Sequence, residues 1–255
     1  MITERMSVTL VVDADDTLWE NNIYYEQCVD AFAELMVGQG FEQEEAEHIV
    51  EMVERERVPV VGYAPEEFAR SLVIAYERLC EGHGRLADDR VVDAVWKIGQ
   101  AVVEYPIVLL EGVAETLARL SGYCRLLLLT KGDQQVQENK LARSGLGHLF
   151  DGVHVVPEKD TAVIRDLLVQ YGLASEQTWM VGNSPRSDIN PALEAGIGAI
   201  YVPHPNTWKL ELADIVGMAQ VITLKRFREL LALFPDAEGR HVVSFRRSSS
   251  TMVAC

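Results

Sequence analysis

Short apolar segments alternate with helical patterns along most of the chain, and this alternation restricts the possible folds more than any other feature of the sequence. Each apolar segment is rich in β-branched residues or leucine and is predicted to be a buried strand. The segments are residues 8–12, 126–129, 153–156, 178–181, 199–202 and, with a weaker pattern, 220–224. The helices predicted beside them are residues 112–120, 133–144, 160–171, 189–195 and 227–234. Alternation of this kind predicts an α/β fold, in which helices cover both faces of a parallel sheet.

One stretch of the chain departs from this alternation. Four helical patterns follow one another at residues 26–37, 42–56, 65–81 and 88–103, with almost no strand signal between them. Because this block follows the first strand, it interrupts the α/β domain. It is expected to lie above the carboxyl edge of the sheet, where ligands of such sheets bind, and to act as a lid. We therefore expect a discontinuous core of residues 1–19 and 105–235 and an inserted helical cap of residues 20–104.

Composition limits the expected partners and the compartment. The 255-residue chain carries a net charge of −16, which argues against nucleic acids and anionic membranes but does not exclude a small phosphorylated metabolite. No apolar window approaches the roughly 20 residues that span a bilayer, and no signal peptide is visible. The cysteines show no metal-binding spacing, so a reducing cytoplasm is the expected location. Residues 236–255 are predicted to be a disordered tail, and the oligomeric state is left open.

Polar residues follow the predicted strands at the edge where the ends of parallel strands meet. They are Asp13 and Asp15 after the first strand, Thr130, Lys131 and Gly132 after the second, Lys159 after the third, and Asn183 and Asp188 after the fourth. These side chains are expected to converge on one crevice. Acidic groups in one crevice repel each other unless a cation neutralises them, and oxygen ligands suit a hard divalent ion such as Mg²⁺. Asp13, Asn183 and Asp188 are therefore expected to form a metal site.

The chemistry expected in this crevice is phosphoryl transfer. Asp13 is predicted to be the nucleophile, because its carboxylate is ionised at neutral pH and can attack phosphorus to give an aspartyl-phosphate. Asp15 lies two residues later in extended chain, points to the same side, and is expected to protonate the leaving oxygen and then to activate water. Thr130 is expected to donate its hydroxyl to a phosphoryl oxygen, and Lys159 to balance the negative charge.

These residues resemble the motifs of the haloacid dehalogenase superfamily. Its first motif, an aliphatic strand followed by DxDxT, is similar to Val11-Val12-Asp13-Ala14-Asp15-Asp16-Thr17-Leu18. Its second, third and fourth motifs resemble Thr130, Lys159 and residues 182–188, and the resemblance extends from residue 8 to about residue 210. It implies a Rossmann-like core, a helical cap of the first insertion type, Mg²⁺ and phosphoryl transfer.

The same resemblance implies two further roles near the first motif. The backbone carbonyl of Asp15 is expected to be a metal ligand, and Thr17 is expected to hold the turn beside the site. Thr17, Lys131 and Gly132 are together assigned to substrate binding.

Two positions depart from the usual pattern of that superfamily. Asn183 stands where many relatives carry the first acidic residue of the fourth motif, so a bound metal would lose one compensating charge. Asp16 stands in place of the common glycine, which stiffens the turn and adds negative charge.

Other functions of this fold stay open. A haloacid dehalogenase also uses an aspartate nucleophile, but it needs neither a metal nor a leaving-group acid, so Asp15 and Asp188 favour phosphoryl transfer. A phosphomutase would keep Asp15 and is not distinguished. A phospho-accepting signalling domain would lack the helical insertion, while Asn183 motivates a non-catalytic phospho-ligand binding protein. The substrate is open as well, because the aromatic residues near the start of the cap suit hinge packing as well as stacking on a ligand ring.

Overall fold

Six parallel strands form one sheet in the computed structural model, which describes residues 8–234. In chain order they are β1 (Thr9–Val12), β2 (Arg125–Lys131), β3 (Gly152–Val156), β4 (Thr178–Gly182), β5 (Gly198–Tyr201) and β6 (Val221–Thr223). All six coincide with predicted strands to within a few residues, and the predicted α/β fold is confirmed. The tail predicted for residues 236–255 lies outside the described residues.

The first strand of the chain lies in the middle of the sheet. The spatial order is β3-β2-β1-β4-β5-β6, and Val12 at the end of β1 pairs with Leu128 on one side and Val181 on the other. The order of strands reverses between β1 and β4, and ligands of open parallel sheets bind beyond the carboxyl ends at such a point. The residues that follow β1, β2 and β4 therefore open onto one crevice.

Helices cover both faces of the sheet. They are α5 (Val113–Leu120), α6 (Gln134–Ser144), α7 (Thr161–Tyr171), α8 (Asn190–Ala195) and the short α9 (Leu230–Leu233). Val12 packs on one face with Leu117 of α5, whereas Val11 packs on the other with Ile164 of α7. Successive side chains of a strand point to opposite faces, so a strand covered on both sides is apolar throughout. Among the described residues, no helix combines the length and the apolar character needed to cross a lipid bilayer.

Four helices between β1 and β2 pack around a core of their own. They are α1 (Asn22–Gly38), α2 (Gln43–Val61), α3 (Pro65–Gly82) and α4 (Asp89–Gln100). Phe32, Leu72 and Val95 are fully buried between them. The helices α3 and α4 approach so closely that a Cβ atom at Gly99 would lie 2.4 Å from the Cα atom of Ala69. Small residues at this crossing therefore permit the packing of α3 on α4.

The chain passes between these helices and the sheet twice, and the two crossings pair with each other. The backbone N–H of Glu20 donates to the carbonyl of Val108, and the N–H of Leu110 donates to the carbonyl of Leu18, both at 2.9 Å. The two connections therefore lie side by side, next to the carboxyl end of β1.

Two helix starts differ from the prediction because of contacts that a periodic pattern does not contain. The helix predicted from residue 26 begins at Asn22, since the Asp16 carboxylate accepts the backbone N–H groups of Asn21 at 2.8 Å and Asn22 at 3.1 Å. The helix predicted at residues 189–195 is preceded by a π-helical turn, Pro185–Ile189, so α8 starts only at Asn190.

Candidate active site

Asp13 directly follows β1 and is held at the centre of the crevice. Its backbone N–H donates to the carbonyl of Val181 at 2.9 Å and so extends the pairing with β4. Its Oδ2 accepts the hydroxyl of Thr17 at 2.9 Å, and its Oδ1 forms an ion pair with Lys159. The residue is only 4 % exposed. A carboxylate that is buried and held through both oxygens has a defined orientation, which a nucleophile requires.

Asp188 reaches Lys159 from the other side of the crevice. The π-helical turn after β4 buries it fully and places its Oδ1 2.5 Å from Lys159 Nζ, while its Oδ2 accepts the backbone N–H of Ser184 at 2.9 Å. A Cβ atom at Gly182, the last residue of β4, would lie 2.2 Å from Asp188 Oδ2. Glycine at position 182 therefore makes the room that this carboxylate occupies.

Two buried carboxylates share one lysine. Burial alone would lower the pKa of Lys159, but Asp13 and Asp188 raise it above its ordinary value, so the ammonium is charged. Burial, followed by repulsion from Asp13, raises the pKa of Asp188 to about 7 even though Lys159 opposes the shift. The pair therefore carries more negative charge than one lysine balances. Because all the donors are hard oxygens, the residues present fit a divalent cation of the kind that prefers oxygen ligands.

Asn183 lies beside this pair with part of its hydrogen-bonding capacity unused. Its Oδ1 is 3.3 Å from Thr17 Oγ1, and its Nδ2 donates to Thr207 Oγ1 at 2.9 Å. The hydroxyl of Thr17 has one hydrogen, and the shorter contact shows that it goes to Asp13. The amide oxygen of Asn183 therefore keeps the capacity to accept from, or to bind, another group.

The carboxylate of Asp15 is held by three side chains. It accepts the indole N–H of Trp19 at 2.8 Å, the amide of Gln137 at 2.9 Å, and the ammonium of Lys140 at 2.9 Å to each oxygen. Burial alone would raise the pKa of Asp15, but Lys140 and these hydrogen bonds hold it below its ordinary value. Asp15 is therefore ionised in this arrangement. Trp19, which is buried, serves this contact rather than stacking on a ligand.

Thr130 and Gly132 lie at the end of β2 around the same Gln137 side chain. Gln137 Nε2 lies 3.0 Å from Thr130 Oγ1 and cannot accept a hydrogen bond, so the hydrogen of the Thr130 hydroxyl is left for another acceptor. Gly132 has a φ of 134°, and a Cβ atom there would lie 3.4 Å from Gln137 Nε2. Glycine therefore suits this position in both backbone conformation and space.

The ammonium of Lys131 links the end of β2 to the turn between α2 and α3. It donates to the hydroxyl of Tyr63 at 3.1 Å and to Ser187 Oγ at 2.9 Å, and it forms an ion pair with Glu211. The Tyr63 hydroxyl in turn donates to Glu158 at 2.6 Å. The substrate-binding role assigned to Lys131 stays a prediction, since its charge is already paired in this arrangement.

Asp16, Glu20 and His204 form a second polar group nearby. Their ligand atoms lie within 4.8 Å of one another, so this acidic group could also hold a metal ion. His204 Nδ1 is 3.8 Å from Asp16 Oδ1, and His204 Nε2 is 3.3 Å from Glu20 Oε2. Because opposite ring nitrogens face the two carboxylates, this geometry suits an imidazole between two acids better than a shared metal.

Asp16 itself has an unusual backbone and an unusual charge. Among the described residues it is the only non-glycine residue with a positive φ, at 58°. Burial, followed by repulsion from Asp15, raises the pKa of Asp16 to about 7. The departure from glycine at this position therefore provides the carboxylate on which α1 begins.

A cavity of about 430 Å³ lies between these residues and the helices α1, α2 and α3. Its floor includes Asp13, Asp15, Thr130 and Lys159. Its helical wall carries apolar and acidic side chains, among them Tyr25, Val50, Glu54 and Phe68. The rings of Tyr24 and Tyr105 stack on each other with centroids 4.5 Å apart, so Tyr24 packs on another ring of the chain. The volume suits a small molecule.

Gln137 and Lys140 are not among the residues predicted to form the site. Their signal is a polar pair spaced by three residues on the helix that directly follows Thr130 and Gly132, which places both side chains on one face. Tyr63 and Glu211 have no comparable signal, because each reaches the site from a distant part of the chain.

A known protein family and solved structures match the part of the chain that contains these residues. The family model for haloacid dehalogenase-like hydrolases matches residues 8–196. Among solved structures, the chain is similar to a haloacid dehalogenase-like family hydrolase from Xanthomonas campestris. The TM-score is 0.76 at 27% sequence identity, and the match covers 90% of this chain and 91% of that chain.

Two curated phosphatases match over parts of their length. Phosphoserine phosphatase of Thermus thermophilus is 35% identical over 82 residues, which are 30% of this chain and 33% of that protein. N-acylneuraminate-9-phosphatase of Homo sapiens is 28% identical over 128 residues, 48% of this chain and 52% of that protein. The family match, by contrast, covers more than half of this chain and includes Asp13, Thr130, Lys159 and Asp188. The chain therefore belongs to the haloacid dehalogenase-like hydrolase family.

Proposed function

We propose that this protein is a Mg²⁺-dependent phosphatase that hydrolyses small phosphate monoesters through an aspartyl-phosphate on Asp13. The observation that carries the proposal is the setting of Asp13. Its buried carboxylate lies at the end of the central strand, with one oxygen on Lys159 and the other on Thr17. A carboxylate nucleophile needs this fixed orientation and an adjacent positive charge when the substrate is an anion.

In the first step, a carboxylate oxygen of Asp13 forms a bond to phosphorus while the bond from phosphorus to the ester oxygen breaks. Asp15, which is ionised in the arrangement without substrate, takes up a proton as the negatively charged phosphate binds beside it and gives this proton to the departing alcohol. Thr130 donates its unused hydroxyl hydrogen to a phosphoryl oxygen, and Lys159 balances the charge of the transferring group. The alcohol leaves, and the phosphoryl group remains on Asp13.

In the second step, water attacks the phosphorus of the aspartyl-phosphate. Asp15, now ionised, takes a proton from this water, and the bond between phosphorus and Asp13 breaks. Inorganic phosphate leaves with the water oxygen, and Asp13 returns to its carboxylate form. Asp15 regains its proton in this step and so serves the next cycle.

The residues that would hold Mg²⁺ are the carboxylates of Asp13 and Asp188, the backbone carbonyl of Asp15 and the amide oxygen of Asn183. When bound, the ion reduces the repulsion between the acidic groups and the phosphate. The support for this set is that two buried carboxylates, Asp13 and Asp188, share the single ammonium of Lys159.

The proposed cap of residues 20–104 closes over the proposed core of residues 1–19 and 105–235. Thr17, Lys131 and Gly132 are proposed to line the substrate site beside the phosphate. A cavity of about 430 Å³ suits a phosphorylated metabolite and leaves little room for a folded phosphoprotein or a nucleic acid duplex. The cytoplasm remains the proposed location.

The test is hydrolysis of p-nitrophenyl phosphate by the wild-type chain and by Asp13→Asn, with Mg²⁺ and after chelation. The wild-type chain is expected to need Mg²⁺. Asp13→Asn is expected to lose activity by at least roughly a thousandfold, because the amide has the same shape but cannot attack phosphorus. Its melting temperature is expected to stay close to that of the wild-type chain. Activity that survives in Asp13→Asn would contradict the nucleophile, and activity that survives chelation would contradict the dependence on Mg²⁺.

A further inference from the structure

Two side chains of α6 account for most of the contacts that hold Asp15. Gln137 Nε2 donates to Asp15 Oδ2, and Lys140 Nζ donates to both carboxylate oxygens, each contact being 2.9 Å. Lys140 also donates to Asn21 Oδ1 at 2.7 Å, at the start of the cap. Both side chains are shielded from solvent, Gln137 being 4 % exposed and the Lys140 side chain 15 %. Hydrogen bonds between charged groups in such a setting are stronger than exposed ones.

The orientation of the Gln137 amide directs its two N–H groups to Asp15 and to the carbonyl of Lys131 and leaves its own oxygen without a partner among the described residues. Its nitrogen lies 2.7 Å from the carbonyl of Lys131 and 2.9 Å from Asp15, so both neighbours are acceptors and the amide cannot be turned round. Its Oε1 is buried and has no hydrogen-bond partner among residues 8–234. An unpaired buried carbonyl oxygen lowers the free energy of unfolding. The contacts of the Gln137 N–H groups must therefore outweigh this loss.

We propose that Gln137 and Lys140 are positioning residues for proton transfer by Asp15. The proposal rests on the proposed phosphatase function and deepens it. A general acid works only when its proton lies within hydrogen-bond reach of the leaving oxygen, and Asp15 lies beyond the end of β1, at an isolated bridge to Trp19. Lys140 contacts both oxygens, so when one of them carries the proton the ammonium still holds the other. The carboxyl group thus keeps its place through both steps of the reaction.

The inference is tested by comparing two aromatic esters of similar size. Benzyl phosphate releases an alkoxide that must be protonated, whereas p-nitrophenyl phosphate releases a stable phenolate that needs no proton. Lys140→Met is expected to lower kcat/KM for benzyl phosphate by about a hundredfold and for p-nitrophenyl phosphate by no more than about threefold. Gln137→Leu should show the same selectivity to a smaller degree. Lys140→Arg should restore much of the activity on benzyl phosphate, since it keeps the charge and the donors.

Matched variants separate this role from others. Asp15→Asn is the reference for lost proton transfer and should show the same preference for p-nitrophenyl phosphate. Asn139→Met, at an exposed position of the same helix, should leave both substrates unchanged. Lys140→Gln, which keeps a polar side chain, answers the same question if Lys140→Met fails to fold. Equal losses on both esters, or no loss on benzyl phosphate, would overturn the assignment. Asp13→Asn abolishes both activities whatever Lys140 does, so the two proposals fail separately.

Discussion

The absence of a side chain at Gly182 leaves room for the carboxylate of Asp188. A Cβ atom at this position would lie 2.2 Å from Asp188 Oδ2, inside the space of the carboxylate. Gly182→Ala is therefore expected to displace Asp188, to lower the free energy of unfolding by about 1–3 kcal/mol, and to reduce activity by roughly a hundredfold. Urea denaturation and p-nitrophenyl phosphate hydrolysis measure the two effects.

The control for this substitution is Gly38→Ala at the end of α1, where a Cβ atom would meet nothing within 4 Å. This variant should be as active as the wild-type chain and up to about 1 kcal/mol more stable, because alanine favours a helix. If both alanine variants behave alike, the close approach to Asp188 is not what the site depends on.

Asn183 is a second position where one atom decides a property of the site. Because the amide oxygen has unused capacity, Asn183→Asp would add a charge where the metal is proposed to bind. The Mg²⁺ concentration for half-maximal activity is expected to fall about tenfold, the equivalent of about 1.4 kcal/mol. Thr207→Val, which removes the partner of Asn183 Nδ2 without adding charge, should leave that concentration nearly unchanged. An unaltered midpoint in Asn183→Asp would mean that this residue does not contact the ion.

At the scale of elements, the start of α1 depends on a side chain outside the helix. The Asp16 carboxylate accepts the N–H groups of Asn21 and Asn22, which have no helical partner of their own. Asp16→Ala should lower the free energy of unfolding by about 1–2 kcal/mol, as the loss of a helix cap does. Asp16→Asn should change it little, because its amide oxygen still accepts and asparagine tolerates a positive φ. Urea denaturation of both variants under chelation tests this, and equal stability of the two would exclude the capping role.

The elements themselves were accessible from the sequence to different degrees. Strands buried on both faces are apolar throughout, so β1 and β2 stand out without any knowledge of their neighbours. The start of α1 was misplaced because its cap comes from Asp16, several residues upstream. Asp13, Thr130 and Lys159 were identifiable because each follows a predicted strand. Contacts between distant segments have no local pattern, so the pairing of Lys131 with Glu211 and Tyr63 could not be predicted.

At the scale of the whole molecule, a titratable contact joins α2 to Trp208, which follows β5 in the chain. Glu54 on α2 is half-buried, and burial, reinforced by Glu51, raises the pKa of Glu54 to about 7 although a hydrogen bond with Trp208 opposes the shift. A carboxyl group whose pKa is raised in the folded chain favours folding when it is protonated, and this advantage is lost as pH rises from about 4.5 to about 7. The Glu54→Gln variant cannot ionise at this position, so it should not lose stability in this way as pH rises.

The measurement is the urea midpoint of the wild-type chain and of Glu54→Gln at pH 5 and pH 8. The variant should gain stability relative to the wild-type chain as pH rises through this window. Glu56→Gln is the matched control on the same helix, because Arg78 lowers the pKa of Glu56 and the stabilising contribution of Glu56 is therefore present throughout this pH window. Parallel pH profiles for the wild-type chain and Glu54→Gln would show that this contact does not respond to pH.

The central place of β1 has a consequence for how the chain is made. β1 leaves the ribosome well before its partners, because Thr9 pairs with Arg125 and Thr178, which are synthesised much later. Until then the nascent chain holds an apolar strand with both edges unpaired, while the intervening helices can already fold on their own neighbours. Pairings so distant in sequence form slowly and expose the strand to association with other chains. β1, the strand that leads into the proposed nucleophile Asp13, is therefore exposed to such association until its partner strands have been made.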